Sequence, residues 1–286
     1  MSPLIHVLAP TLANKIAAGE VIQRPSSAVK ELLENAIDAG ATSLNVHVRG
    51  AGNQLIQVID DGDGMGPEDA VLAFQRHATS KINVYEDLLQ IRTLGFRGEA
   101  LASMAAVAQV ELKTRRAGDD TATLVRIEGG EVIEVSPCSA PKGTAIALKN
   151  LFFNTPARRK FMKSASTEFK HIFDAVQRVA IAHPEIALTL RSEDEVVLQC
   201  RPGEPSRRIA DVFGEKLAGG VFPFEDQNGP VRIHGFLCRP AFARKSRTEQ
   251  YLYLNRRPIA SKSLQHAVFQ AYENMLEKGS FPFFIL

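Results

Sequence analysis

The chain has 286 residues, of which 45% are hydrophobic and 23% charged, a composition typical of one large or two medium globular domains. Its three cysteines form no CxxC pair or Cys/His cluster, which argues against structural zinc and a disulfide framework and favours a reducing compartment. Residues 1–110 carry 8 basic against 12 acidic side chains, whereas residues 111–286 carry 26 against 20. An acidic first part suits a cation site, and a basic second part suits a polyanion.

The N-terminal segment shows no targeting pattern. Residues 1–15 lack a charged beginning and an uninterrupted apolar core, so they do not predict a signal peptide. No apolar run in the chain approaches the length of a membrane span. We therefore expect a cytoplasmic protein without a membrane partner.

The first elements are two helices. The pattern predicts a short helix over residues 11–20 and a second one after Pro25, with Ser26 and Ser27 as N-cap candidates and Gly40 as the C-cap. One face of the second helix is apolar. The opposite face is polar and carries Glu31, Glu34, Asn35 and Asp38.

This polar face of the second helix is unusual because its acids repel one another. Asp38 also lies at the C-terminal end, where the helix dipole disfavours anions, and no basic residue follows at a compensating position. A solvated acidic face is one interpretation. The other is a face that meets a hydrated magnesium ion, with Asn35 as a neutral oxygen ligand and a carboxylate that orients water.

The next elements predict a β-hairpin that ends in a turn rich in aspartate and glycine. Residues 43–49 alternate apolar and polar side chains, and residues 54–59 predict the partner strand. The turn reads Asp60-Asp61-Gly62-Asp63-Gly64-Met65-Gly66. A plain turn is one interpretation. The other is a site in which Asp60 accepts a hydrogen bond from an amine while two glycines let a flat ring approach the backbone.

Three known loop types do not match this turn. A calcium loop that opened at Asp61 would need acids where Met65 and Leu72 stand. A dinucleotide fingerprint would need a glycine in place of Pro67. No GxxxxGK[ST] motif occurs anywhere in the chain, which excludes a Walker-type loop.

Two polar segments follow a helix predicted over residues 67–75. The first, Arg76-His77-Ala78-Thr79-Ser80-Lys81, combines hydroxyls and a lysine in a way that suits phosphate. The second, residues 95–101, leads into an alanine-rich helix that ends near Ala108. A flexible Gly-x-x-Gly segment before a helix presents free backbone N–H groups to an anion. An ordinary loop is the alternative to a lid that closes over phosphates.

The remaining pattern predicts the end of one domain and a second, smaller one. Strands are predicted at residues 109–115, 121–127, 131–135 and 143–149. We expect a first domain over residues 1–150, a basic linker over 151–163 and a second α+β domain over 164–286. Its predicted elements are helices at 164–182, 206–213 and 261–277, a hairpin at 186–200, and strands at 219–238 and 248–254.

The second domain contains a basic run between residues 239 and 262 in which Glu249 is the one acid. Its basic side chains are Arg239, Arg244, Lys245, Arg247, Arg256, Arg257 and Lys262. A solvated face and a nucleic-acid surface are both consistent with this run. Because no tryptophan is present and no aromatics clearly interleave, DNA contacts here would be to phosphate, independent of sequence and sensitive to salt.

Five motifs between residue 11 and about residue 170 carry a family resemblance. They are GEVIQRPSSAVKELLENAIDAGA, DDGDGM, RHATSK, LGFRGEALASM and FFNTPARRKF. They resemble the GHKL ATPase superfamily and, within it, the MutL family of mismatch-repair ATPases. The resemblance implies an α+β fold, namely a GHKL (Bergerat) α/β sandwich with a mostly antiparallel sheet. A smaller α+β domain resembling the ribosomal protein S5 domain 2-like fold would follow.

The resemblance also implies the cofactors ATP and Mg²⁺ and a role for each matched residue. Glu31 would be the general base that activates water, and Asn35 would hold the Mg²⁺ ion that bridges the phosphates. Asp60 would accept from the adenine amine, and Thr144 would support that contact. Residues 95–101 would form a lid that orders on ATP binding and drives dimerisation. The other implied ATP-site positions, with Asp38 in a supporting role, are Asp38, Gly62, Gly64, Met65, Thr79, Ser80, Lys81, Gly95, Phe96, Arg97, Gly98, Glu99, Ala100 and Leu101.

For the basic residues, the resemblance implies DNA contacts. Arg257 matches the DNA-contacting arginine of the family, and Arg256, Arg159 and Arg244 are further candidates. Because Arg256 stands where the family has a glycine, we expect a different turn there. The implied partners are DNA, a MutS-type mismatch sensor, a downstream endonuclease, a helicase, and a second copy or a paralogue in an ATP-dependent dimer. In a bacterium the protein would be nucleoid-associated.

The sequence therefore predicts an ATP-binding, slowly hydrolysing module whose dimer forms a DNA clamp and couples mismatch recognition to nicking. The resemblance also implies a C-terminally truncated chain, which ends before the family's γ-phosphate lysine loop and lacks its C-terminal dimerisation domain. The alternative is a region that binds ATP and DNA without turnover. A topoisomerase ATPase subunit would share Asn35 and Asp60, but the motifs FFNTPARRKF and GFRGEAL disfavour it.

Overall fold

The structure is a computed structural model that describes Val7, residues 10–90 and residues 93–286, apart from the side chains of residues 10–14, 85, 88 and 89. The predicted absence of a signal peptide concerns residues 1–15, of which residues 1–6, 8 and 9 lie outside the described residues. None of the described helices is long and apolar enough to cross a membrane.

The chain divides into two compact units. One contains the described residues up to Gln177 together with Ile186–Gln199, and the other contains Arg178–Glu185 and Cys200–Leu286. These units do not coincide with the expected limits at residues 150 and 164. The expected domains therefore stay a prediction.

The first unit combines helices with one large sheet. Its helices are α1 (Pro10–Val21), α2 (Pro25–Asp38), α3 (Pro67–Leu72), α4 (Ala100–Val107), α5 (Pro156–Phe161) and α6 (Ala165–Ala182), the last of which ends in the second unit. Its strands are β1 (Ser43–Arg49), β2 (Leu55–Asp60), β3 (Gln109–Arg115), β4 (Ala122–Glu128), β5 (Glu131–Cys138), β6 (Gly143–Lys149), β7 (Ala187–Ser192) and β8 (Glu195–Cys200). Short 3₁₀ turns occupy Gly50–Gly52 and Tyr85–Gln90.

The large sheet has eight strands in the order β5-β4-β3-β6-β2-β1-β7-β8. The pairs from β5 to β1 are antiparallel, whereas β1 and β7 are parallel, with Val46 opposite Leu190. The predicted mostly antiparallel sheet is confirmed. The hairpin that the sequence placed in the second domain instead extends this sheet, because β7 needs a partner for its buried residues Leu188 and Leu190.

Helix α2 is fixed to this sheet by its apolar face and by its C-terminal cap. Its buried residues are Pro25, Ala28, Val29, Leu32, Leu33 and Ala36. The expected serine N-caps are wrong, since the helix begins at Pro25 and makes no side-chain cap bond. At the other end, the Gly40 N–H donates to Ile37 O at 2.9 Å and the Ala41 N–H donates to Ala36 O at 3.1 Å. This is the Schellman arrangement, in which Gly40 takes a φ of +73°.

The second unit is a smaller sheet with helices. Its elements are α7 (Pro205–Phe213), α8 (Glu215–Ala218), β9 (Val221–Asn228), β10 (Val231–Cys238), a 3₁₀ turn at Pro240–Phe242, β11 (Gln250–Leu254), β12 (Arg257–Ile259), α9 (Lys262–Tyr272) and β13 (Phe284–Ile285). The strand order is β12-β11-β13-β10-β9. Phe213, Tyr251 and Phe283 form an aromatic cluster in its core, with ring centroids 4.9 to 6.2 Å apart. Helix α9 ends at Tyr272, five residues before the predicted end at residue 277.

Candidate functional site

The polar face of α2 carries its own counter-charge. Lys30 Nζ lies 3.1 Å from Glu31 Oε1 and 2.9 Å from Glu34 Oε2. Burial raises the pKa of the Glu34 carboxyl, and the Lys30 ammonium opposes that rise. Lys30 precedes Glu31 by one residue and Glu34 by one helical turn, whereas the prediction considered only basic residues that follow Asp38.

Asp38 is compensated from a distant part of the chain. Lys81 Nζ donates to Asp38 Oδ2 at 2.6 Å and to Asn35 Oδ1 at 2.8 Å. The side chains of Lys81 and Asp38 are 18% and 6% exposed. Because the pair is largely shielded from water, its attraction is screened less than that of a surface pair. The structure thus brings three of the predicted site residues into contact.

The beginning of the predicted lid also lies on this face. The Leu94 N–H donates to Asp38 Oδ1 at 2.8 Å, and the Gly95 N–H donates to Asp38 Oδ2 at 3.0 Å. A Cβ atom on Gly95 would come within 3.3 Å of Lys81 Nζ and 3.8 Å of Asn35 Oδ1. A side chain at position 95 would therefore crowd the polar face.

The rest of the lid segment contacts the RHATSK segment. The His77 N–H donates to Gly98 O at 3.0 Å, and Gly98 has a φ of +62°. A Cβ atom there would lie 2.3 Å from Ala78 O, so only glycine fits. Of the other predicted residues here, Thr79, Ser80 and Arg97 are exposed, Phe96 and Glu99 are half-buried, and Ala100 and Leu101 begin α4.

Asp60 lies at the end of β2, where the sequence placed it. Its Oδ1 accepts a hydrogen bond of 3.0 Å from the Gly62 N–H. Burial raises the pKa of Asp60 to about 6, although hydrogen bonds from the Gly62 and Thr144 backbones act in the opposite direction. The Asp63 N–H donates to Ala39 O at 2.9 Å, so the turn packs against the C-terminal end of α2.

The glycines of this turn are needed for close approach. A Cβ atom on Gly62 would lie 2.8 Å from Ala39 O, and one on Gly64 would lie 2.1 Å from Arg115 O. Gly64 also has a φ of +71°, which disfavours other residues. The sequence predicted glycine here for the approach of a flat ring, and the structure adds a steric reason within the chain.

Thr114 is fully buried in β3 and had no predicted role. Its hydroxyl accepts a hydrogen bond of 2.9 Å from the Met65 N–H and lies 3.0 Å from Thr144 Oγ1. It also donates to Gly143 O at 3.1 Å. Thr114 therefore links two predicted site residues. A threonine in an alternating strand gave no signal for this role, because Met65 lies in a turn 49 residues away and Gly143 begins β6, 29 residues away.

The four candidate DNA-contacting arginines lie in different environments. Arg159 is exposed on α5. Arg244 Nε lies 2.7 Å from Glu249 Oε2, and Arg256 Nη1 lies 2.5 Å from Glu185 Oε1. Arg257 begins β12, immediately after Arg256. Arg244 and Arg256 thus already have a carboxylate partner.

Comparison with known proteins decides the family. Residues 23–139 match the family model described as "Histidine kinase-, DNA gyrase B-, and HSP90-like ATPase", and residues 209–286 match "DNA mismatch repair protein, C-terminal domain". The chain is 48% identical over 283 residues to the DNA mismatch repair protein MutL of Chloroherpeton thalassium, and 49% identical over 286 residues to that of Porphyromonas gingivalis. The chain belongs to the MutL family.

Solved structures agree with this MutL assignment. The Aquifex aeolicus MutL ATPase domain complexed with ADP is 26% identical, with a TM-score of 0.70 and coverage of 93% of both chains. The N-terminal domain of a DNA repair protein is also 26% identical, with a TM-score of 0.82 and coverage of 97% of this chain and 87% of that one. The predicted family and fold are confirmed. The chain spans 44% and 46% of the length of the two MutL relatives above.

Proposed function

We propose that this region of a MutL-family protein binds ATP and hydrolyses it slowly. The observation that carries the proposal is the convergence of Asn35, Asp38, Lys81 and the Gly95 N–H on one face of α2, linked by hydrogen bonds of 2.6 to 3.0 Å. An amide oxygen and an ammonium beside a glycine-rich segment suit a triphosphate with its metal ion. The similar Aquifex aeolicus MutL ATPase domain is described as complexed with ADP, which supports a nucleotide ligand.

The adenine end of the nucleotide is assigned to Asp60. With a pKa of about 6, its carboxyl is mostly ionised at neutral pH and acts as an acceptor for the exocyclic amine. Gly62 leaves the space beside it free of a side chain, and Thr144 supports the same carboxyl through its backbone. The phosphates would then extend toward Asn35 and Lys81.

The residues present fit a magnesium ion. Mg²⁺ takes oxygen ligands, keeps several waters and uses one or two protein oxygens together with phosphates. The Asn35 amide oxygen has two lone pairs, of which Lys81 uses one. Over the part of the chain that the structure describes, no three His, Cys, Asp or Glu side chains are grouped to hold a metal ion. Asn35 would hold the ion together with the phosphates of ATP. When bound, the ion would neutralise charge on the phosphates.

Hydrolysis is assigned to Glu31. It lies one turn before Asn35 on the same face, and its side chain is 28% exposed, so water reaches it. A carboxylate in this place orients the attacking water and accepts its proton. The other proposed site residues act by positioning the nucleotide and by their charge, without a covalent intermediate.

The test of this assignment is Glu31→Ala beside Glu34→Ala, which removes a carboxylate from the same face. We expect Glu31→Ala to keep the ATP affinity and to slow phosphate release by about 100-fold or more. Glu34→Ala should change phosphate release by only a few-fold. Unchanged phosphate release in Glu31→Ala would reject Glu31 as the base. A wild-type chain that binds ATP and releases no phosphate would favour the alternative of binding without turnover.

ATP would act as a switch for assembly. Closure of residues 95–101 over the phosphates would favour dimerisation of two such regions, with a second copy or a paralogue, into a DNA clamp, and hydrolysis would reopen it. A MutS-type sensor, an endonuclease and a helicase are the partners proposed for the whole protein, which would act in the cytoplasm on DNA. Sedimentation velocity with a non-hydrolysable ATP analogue tests the dimer, and a monomer at saturating analogue would contradict it.

DNA binding is assigned to phosphate contacts by Arg257, Arg256, Arg159 and Arg244. Glu185 competes with DNA for Arg256, because its carboxylate lies 2.5 Å from the guanidinium. We therefore expect Glu185→Gln to raise the affinity for a random duplex and Arg257→Ala to lower it, by fluorescence anisotropy at low salt. Both effects should shrink as salt rises. Equal DNA affinities of the wild type, Glu185→Gln and Arg257→Ala would argue against DNA binding by the β11–β12 hairpin that carries Arg256 and Arg257.

A further inference from the structure

The carboxylate of Asp38 collects three donors from two other segments of the chain. Its Oδ1 accepts from the Leu94 N–H at 2.8 Å, and its Oδ2 accepts from the Gly95 N–H at 3.0 Å and from Lys81 Nζ at 2.6 Å. The side chain is 6% exposed. These donors are separated from Asp38 by 43 to 57 positions in the sequence. One carboxylate therefore connects segments that are far apart in the sequence.

A buried carboxylate is stabilised by a counter-charge and by hydrogen bonds to its oxygens. Two consecutive backbone N–H groups directed at one carboxylate form an anion-binding concavity, and bonds to an ionised acceptor are the stronger kind. Asp38 itself is held in place, because it is the last residue of α2 and is followed by the Schellman bonds of Gly40 and Ala41. Asp38 thus joins a rigid helix to a segment without regular structure.

We propose that Asp38 is the positioning residue that docks Leu94 and Gly95, where the predicted lid (residues 95–101) begins, onto the ATP-site helix. Through the same carboxylate it sets the place of the Lys81 ammonium beside the Asn35 oxygen. The supporting role implied by the family resemblance thereby becomes a specific one: Asp38 acts on the lid and on Lys81. The proposal rests on the proposed function only in calling residues 95–101 a lid over nucleotide.

A consequence concerns Asn35. Its oxygen already accepts from an ammonium at 2.8 Å, and a second cation on that oxygen would be repelled by the first. Lys81 therefore shifts away from Asn35 whenever that oxygen takes a metal, while the two N–H bonds to Asp38 stay available to hold residues 94 and 95. Asp38 keeps its position at the end of α2 while Lys81 moves.

Amide hydrogen exchange, measured by mass spectrometry without added nucleotide, tests the docking. We expect Asp38→Asn to speed exchange at least tenfold in a peptide that spans residues 93–99, because the ionised acceptor is lost. Peptides within α2 should exchange as in the wild type. Asp38→Glu, which keeps the carboxylate, should recover part of the protection. Glu34→Gln, on the same face but paired with Lys30, should match the wild type.

The proposal is overturned if Asp38→Asn leaves exchange in residues 93–99 unchanged. It is also overturned if the acceleration spreads equally through α2, since that would mean a general loss of helix stability. Lys81→Met gives an independent result should Asp38→Asn fail to fold. We expect it to keep residues 93–99 within about threefold of wild-type exchange, because the N–H bonds to Asp38 remain. A tenfold acceleration there would make Lys81 the docking group and reject Asp38.

This experiment does not depend on ATP binding. A chain that shows the expected exchange pattern and binds no ATP analogue would support the docking and reject the proposed function. If the wild type binds the analogue but Asp38→Asn exchanges like the wild type in residues 93–99, the proposed function is supported and the docking by Asp38 is rejected.

Discussion

Asp60 Oδ1 accepts a hydrogen bond of 3.0 Å from the Gly62 N–H, and this contact holds a half-buried carboxylate at the end of β2. Burial nevertheless raises the pKa of Asp60 to about 6 from an ordinary value of 3.8. The folded protein therefore keeps an ionised group at neutral pH at a cost in stability, as expected for a group retained for ligand binding.

Asp60→Asn should stabilise the protein while weakening its affinity for ATP. Removing the ionised carboxyl relieves a desolvation cost on the order of 1–3 kcal/mol at pH 7.5, given the direction and size of the pKa shift. Urea unfolding measures the stability, and calorimetry with an ATP analogue measures the affinity. A variant that is both less stable and equally tight in binding would contradict the interpretation.

The pH dependence of this difference has a definite sign. Because the folded pKa of about 6 exceeds the unfolded value of 3.8, the folded state binds the proton more tightly between these two values. The free energy of unfolding of the wild type should therefore approach that of Asp60→Asn as the pH falls through 6. The difference between the two should vanish below pH 3.8. Urea unfolding of the wild type and of Asp60→Asn at pH 7.5 and at pH 4.5 measures this difference in stability. A gap that widens on acidification would be inconsistent with a raised pKa.

Gly64→Ala should destabilise the protein by about 2–5 kcal/mol. The added Cβ would lie 2.1 Å from Arg115 O, and the φ of +71° is itself unfavourable for alanine. Gly118→Ala is the matched control, because a Cβ atom there meets nothing within 4 Å. We expect the control to stay within about 0.5 kcal/mol of the wild type in urea unfolding. Similar losses in both variants would show that the turn does not constrain position 64.

Arg208→Met should cost about 3–5 kcal/mol in the second unit. The guanidinium is buried and donates to the backbone oxygens of Ala180, His183, Pro184 and Arg201, so its removal leaves buried acceptors without a donor. Arg207→Met is the control, since Arg207 is 58% exposed and pairs with Asp211 and Glu215. Its loss should cost about 1 kcal/mol or less by thermal unfolding. Equal costs for the two variants would remove the structural role given to Arg208.

Arg256→Gly should stabilise the β11–β12 hairpin by about 1 kcal/mol. Asn255 and Arg256 form its two-residue loop with φ values of +50° and +65°, a conformation that favours glycine at the second position. The exposed ion pair with Glu185 offsets little of this gain. Arg256→Ala loses the same ion pair without relaxing the backbone, so Arg256→Gly should melt higher than Arg256→Ala. The reverse order would mean that the loop is not strained.

The sequence predicts local structure well where one segment decides it. Helix α2 follows from its apolar stripe, from Pro25 at its start and from Gly40 after its end, and the alternating strands of the large sheet follow from period-two patterning. The position of Asp60 at a strand end could be predicted for the same reason. The Lys30–Glu34 pair was also visible in principle, since it has the spacing of one helical turn.

What could not be predicted depends on long-range contacts. The partners of Asp38 lie 43 or more positions away, and those of Thr114 lie in a turn and at the start of β6, so no local pattern specifies them. Strands β7 and β8 look like an ordinary hairpin, and their place in the large sheet depends on the parallel pairing of β7 with β1. The left-handed conformation of Arg256 is imposed by the strand pairs on both sides of it.

The central claim is that this chain holds ATP between Asp60 and the Asn35 face of α2. Calorimetric titration with a non-hydrolysable ATP analogue, with and without magnesium, tests it most directly on the wild type beside Asp60→Asn and Glu31→Ala. We predict binding that magnesium strengthens, that Asp60→Asn weakens at least tenfold and that Glu31→Ala retains. A folded wild-type chain that shows no heat of binding, or an Asp60→Asn variant that binds as tightly as the wild type, would contradict the account.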